Sequence, residues 1–177
     1  RAVHVEDGRG TLDTASSYMG APIRSARDYS FLANKAFKCQ VPVALTQYLK
    51  SHESNLHPAI AMAWKKHGKK MRGTWEEVFG QANDTVKAEA SNKYAKDAWM
   101  NTYPNLTQEI FNTWNYATYV ESIATKGKAA YNIPLYVNCW QKQPKQHEPG
   151  AYPSGGPQIH LLDIYRAAAP HIDFLEP

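Results

Sequence analysis

The sequence predicts an α/β fold whose strands run parallel, and three stretches carry that prediction. Residues 131–177, YNIPLYVNCWQKQPKQHEPGAYPSGGPQIHLLDIYRAAAPHIDFLEP, follow the order of a βαβ unit: an apolar run, a loop, a helix-spaced stretch and a second apolar run. Such a crossover joins two parallel strands of one sheet. Just upstream, residues 105–126 have the spacing of an amphipathic helix that feeds into the first of those strands. Ala2, Val3, His4 and Val5 open the chain as another short strand. In parallel sheets the working residues gather at the carboxyl ends of the strands.

Taken in order, the opening strand ends in two carboxylates, Glu6 and Asp7, followed by Gly8, Arg9 and Gly10. A strand-end acid backed by a glycine turn suits catalysis in a barrel enzyme. The same Asp7-Gly8 pair suits an ordinary bend equally well. Residues 11–27 are polar and rich in Gly, Ser and Ala, a long loop on the face of those carboxylates. Short helices are expected over residues 31–38, from Pro42 through Leu49, and from Pro58 to a stop at Gly68, with proline at the first turn of the last two. A further turn or two covers residues 75–79, and residues 81–92 read as a polar loop. These helices are too far from strand signals to belong to a sheet core, so they are expected as an insertion after the first strand. In the helix at 105–126, Ile110, Phe111, Trp114, Ala117, Val120, Ile123 and Ala124 form a core stripe. Asn105 or Thr107 is the expected cap and Gly127 the expected stop. Residues 133–140 form the next strand, which places Asn138, Cys139 and Trp140 on the working face. The loop at 141–158 holds four prolines and three glycines around His147 and Tyr152. Its Ser154-Gly155-Gly156-Pro157 segment suits a tight turn presenting Tyr152, with a phosphate nest as the other reading. Residues 161, 162, 164, 165, 168 and 169 mark one helix face, Pro170 ends it, and residues 172–175 start the last strand, with Glu176 at its end.

Composition narrows the function classes. A hydrophobic share of 43% and an aromatic share of 12% over 177 residues give a chain that folds around a core. The net charge of +4 is scattered apart from Lys65, Lys66, Lys69 and Lys70, which suit a solvated helix end rather than a nucleic-acid patch. Cys39 and Cys139 lie a hundred residues apart without CxxC or Cys/His spacing, so neither a disulfide framework nor a zinc site is expected. The seven histidines show no HExxH pattern, and no metal site is expected. No apolar run reaches the ~18 residues of a membrane span. GxGxxG, GxxxxGK[ST] and GxSxG are all absent, which removes the dinucleotide, P-loop and serine-hydrolase readings. The sequons at Asn83 and Asn105 are short enough to be chance matches. The chain starts at Arg1 directly in a strand and stops at Pro177 directly after another, which suggests a piece of a longer protein.

With these residues in view, PLYVNCW, PGAYPSGGP and IHLLDIYRAAAPHIDFLEP resemble the central part of bacterial β-galactosidase-like glycoside hydrolases of the family 35 type, in clan A. Arg27-Asp28-Tyr29-Ser30, Val41-Pro42 and GTWEEVFG at 73–80 fit the same branch. The resemblance implies a (β/α)8 TIM barrel of which this chain spans about strands four to six. It implies retaining hydrolysis of terminal β-galactosides or related glycans through two carboxyl groups about 5 Å apart, with no cofactor. The family's strand-four motif, Val-Glu-Asn-Glu, falls on Val5-Glu6-Asp7-Gly8, so Gly8 stands where the acid/base glutamate is expected. Asp7, with Glu6 beside it, becomes the candidate catalytic carboxylate, and the nucleophile strand would lie past Pro177. Asn138 is the expected partner of a sugar hydroxyl, Trp140 and Tyr152 are stacking walls or simple loop packing, and Glu176 lines the same face. The expected partner is therefore a carbohydrate, with no nucleic acid and no membrane, in a secreted or periplasmic protein. The chain alone is expected to be inactive, and to self-associate through open sheet edges. The other reading is a carbohydrate-binding remnant that has lost its catalytic carboxylates.

Overall fold

The computed structural model describes residues 3–4, 25–88, 97–139 and 141–176, and the fold is mixed α/β. Three strands, β1 (Val3–His4), β4 (Leu135–Asn138) and β5 (Phe174–Glu176), form one parallel sheet in the order β1-β4-β5. Val3 pairs with Leu135, His4 with Tyr136, and Asn138 with Glu176. This is the parallel arrangement that the βαβ pattern predicts. Among the described residues the sheet does not close into a barrel. A second, antiparallel pair joins β2 (Thr85–Lys87) to β3 (Thr102–Pro104). It corrects the expectation of a loop over residues 81–92. The pairing is long-range, and β2 alternates exposed and half-buried residues with too little apolar content to announce a strand.

Between residues 31 and 79 lie four short α-helices, α1 (Phe31–Phe37), α2 (Val43–Ser51), α3 (Pro58–Lys66) and α4 (Trp75–Phe79). Local chemistry fixes their starts. Ser30 Oγ accepts from Ala33 N at α1, and His57 Nδ1 accepts from Ala59 N at α3, where Pro58 fills the first turn. Thr74 and Glu77 close a reciprocal capping box on α4. The inner faces of these helices meet the first half of α5 (Leu106–Ala130), where Phe111 is edge-on to both Phe37 and Trp75 at 5.2 and 5.3 Å. The second half of α5 packs with α6 (Leu162–Ala168) against the sheet through Ala117, Val120, Ala124, Leu135, Val137 and Tyr165.

Two features of α5 differ from expectation. Asn105 takes a left-handed conformation (φ 55) and makes no side-chain cap. The helix also continues through Gly127 to Ala130, with Tyr131 N bonded to Gly127 O. Gly127 is not among the left-handed glycines, so it sits within the helix and does not end it. The predicted stripe is buried at Ile110, Phe111, Ala117, Val120 and Ala124, whereas Ile123 is 38% exposed.

Candidate functional site

The carboxyl edge of the parallel sheet forms first from register. Leu135 and Val137 point into the helical layer and are buried. Alternation sends Tyr136 and Asn138 to the opposite face, and Phe174 and Glu176 on β5 share that face with them. Tyr136 lies flat on Phe174, with centroids 5.3 Å apart and planes within 3°. Asn138 and Glu176 stand opposite each other at the strand ends, both exposed. Cys139 N donates to Glu176 O, which extends the pairing one step past the strand. Asp173 fixes the start of β5 by accepting from Leu135 N and from Lys128 at the end of α5. Those two bonds hold its carboxyl below the usual carboxylate range. The structure thus brings together two of the predicted site residues, Asn138 and Glu176. Glu6, Asp7 and Trp140 lie outside the described residues. Cys39 is exposed and Cys139 half-buried, both as free thiols, and burial pushes the Cys139 thiol up.

Tyr152 is elsewhere. It is 1% exposed, and its hydroxyl donates to Glu109 Oε1 at 2.5 Å. Burial, with the Glu109 carboxylate alongside, pushes that phenol far above its ordinary range. Tyr152 therefore anchors the loop at 141–158 to α5, the packing role open to it from the sequence. The rest of the loop follows. Ser154 Oγ donates to Ala26 O at 2.8 Å and accepts from Asn112 at 3.3 Å, while Tyr165 Oη donates to Gly155 O. Gly155 has φ +95 and lies against the Tyr116 ring.

Around Tyr152 lies a buried polar cluster that no sequence motif marks. Glu109 on α5, 1% exposed, also accepts from His160 Nε2 at 2.9 Å. His160 is fully buried and its Nδ1 has no partner. The Tyr103 ring forms the centre: His160 lies 4.8 Å from it, His57 5.6 Å and the Lys142 amine 4.5 Å. Lys142 also donates to the carbonyls of Thr102 at 3.1 Å and Trp99 at 3.4 Å. Desolvation, then His160 and Lys142, depress His57 to about 4, so it is neutral at pH 7. Burial and then Glu109 raise the Tyr103 phenol to about 12. Burial lowers the Lys142 amine, with Glu109 opposing. One signal was available in the sequence: Glu109 and Thr113 fall on the same 3–4 spaced stripe as Leu106, Ile110 and Ala117, and a charge in core register calls for buried partners.

The hydrogen bonds of this cluster run between protein groups. A separate cleft of about 90 Å³ lies between α3 and β2, lined by Met62, Lys66, His67, Phe79, Asp84 and Lys87 among others. It is smaller than a sugar-sized site requires. Among the described residues no group of three or more His, Cys, Asp or Glu is placed to hold a metal, and no helix is long and apolar enough to cross a membrane. Neither the protein-family models nor the curated proteins contain a match to this chain.

Proposed function

We propose that this chain is part of the (β/α)8 barrel of a retaining glycoside hydrolase acting on terminal β-galactosides or related glycans. It holds part of the sugar site and not the complete catalytic pair. The observation that supports this most is the wiring of the sheet. Three parallel strands lie side by side in chain order, β1-β4-β5, with the helices α5 and α6 in the two crossovers. Consecutive barrel strands are wired in that way, and Asn138 and Glu176 then stand together on the rim where barrel enzymes work.

In this reading Asn138 donates its amide to a sugar hydroxyl and Glu176 accepts from a neighbouring one. Trp140 offers its ring to the apolar face of the sugar. Asp7, with Glu6 beside it, takes the place of the acid/base, and the nucleophile comes from a later strand. Retention follows from two carboxyl groups about 5 Å apart, one attacking the anomeric carbon while the other protonates the leaving oxygen.

The test uses the full-length product of the gene, read past both ends of this chain. An aryl β-galactoside should be hydrolysed with retained configuration, and Asn138→Ala should lower kcat/KM by roughly 100-fold through the lost hydroxyl contact. Saturable galactose binding without turnover would assign the remnant reading instead. Neither binding nor turnover would sink both.

A further inference from the structure

Two of the points that hold the loop following the Asn138 edge lie in the buried cluster, while its Ser154–Gly155 end is held separately by Ala26, Asn112 and Tyr165. Lys142 sits at its start, its amine over Tyr103 and bonded to the Thr102 and Trp99 carbonyls. Tyr152 sits ten residues on, bonded to Glu109. Three groups able to carry positive charge, Lys142, His57 and His160, therefore lie against one aromatic ring, and among the described residues Glu109 is the carboxylate hydrogen-bonded into the cluster through His160 and Tyr152. The other nearby carboxylate, Asp163 on α6, is occupied by His57 N at 2.8 Å and by Arg166 at 3.7 Å. The two imidazole centroids are 6.2 Å apart.

We propose that this cluster is a pH-sensitive latch for the start of the loop at 141–158: acid places a second cation against the Tyr103 ring that already holds the Lys142 amine, and the Lys142 end of the loop lets go of β3. His57 is the group that makes the latch respond. Its Nδ1 accepts from Ala59 N, so the neutral ring carries its hydrogen on Nε2 and an added proton goes to Nδ1, where it costs that bond and brings a full charge into the cluster. Glu109 is already spent on Tyr152 and His160. Folded His57 titrates at about 4, below the ordinary value of 6.5, so the closed loop is fully favoured above pH 6.5 and loses ground as pH falls toward 4. Lys142 is the partner that gives way in this latch, because His57 stays held through its backbone N–H on Asp163. The latch stands whether or not the loop borders a sugar, so its test is separate from that of the hydrolase reading.

Amide hydrogen exchange, corrected for the intrinsic effect of pH, reads the latch directly. Protection in residues 141–151 should fall roughly 100-fold between pH 7 and pH 4.5 while that of α5 and β4 holds. His57→Asn keeps an acceptor for Ala59 N but cannot titrate, and should leave loop protection flat with pH. Should that variant fail to fold, Lys142→Gln serves: with no amine for a charged His57 to repel, the start of the loop is no longer driven off and the drop should shrink. A loss of protection shared by α5 and β4, a flat profile in the unaltered chain, or an undiminished drop in either variant would each overturn the proposal.

Discussion

Gly155 is the residue at which the loop-to-helix contact is most constrained. At φ +95 an L side chain is already strained, and a Cβ there would meet Tyr116 carbons at 2.2 and 2.6 Å and Asn112 Nδ2 at 3.0 Å. Gly155→Ala should therefore cost about 3 kcal/mol or more in a urea melt, from backbone strain added to overpacking. An alanine that costs less than ~1 kcal/mol would mean that the turn does not press on α5. Tyr152→Phe tests the other anchor. It keeps the ring and removes a hydrogen bond to a buried carboxylate, worth about 1.5–3 kcal/mol. Since Glu109 keeps His160, the loss should fall within that range and not reach the ~3–5 kcal/mol of a carboxylate stripped of its partners.

At the scale of the element, α4 is the clearest case of a helix set by its cap. Five residues form no stable helix alone, and α4 persists because the capping box closes its start while Trp75, Val78 and Phe79 are buried. Thr74→Ala should cost about 1 kcal/mol, measured as a shift in the urea midpoint at unchanged slope. Helix α5 shows the opposite balance. Its entry residue makes no side-chain cap, and a glycine lies within its last turn. It extends over 25 residues because the helical layer and the sheet both pack on it. For an element held that way, tertiary contact outweighs the terminal signals.

At the scale of the molecule, the sheet decides the behaviour of the isolated chain. Tyr136, Asn138, Phe174 and Glu176 share one face, with Phe174 42% exposed. A parallel sheet is ordinarily covered on both faces, and β1 and β5 are edges among the described strands. Sedimentation velocity across a concentration series should show self-association that weakens as the chain is diluted. A monomer with a single cooperative melt at all concentrations would contradict the open-edge reading.

Period and punctuation in the sequence determined the local elements. Prolines 42 and 58 marked helix starts, the 3–4 spacing marked α5 and α6, and apolar runs marked the parallel strands, because each of these signals acts between residues close in the chain. Only the tertiary structure decided the rest. The β2–β3 pairing spans 15 or more residues and has no local signature. The passage of α5 through Gly127 accompanies the packing of its second half on the sheet and α6. The Glu109–His160–Tyr152 cluster joins residues 43 and 51 positions apart. A buried carboxylate is tolerated only where distant donors converge on it, and that convergence belongs to the fold, not to any stretch of sequence.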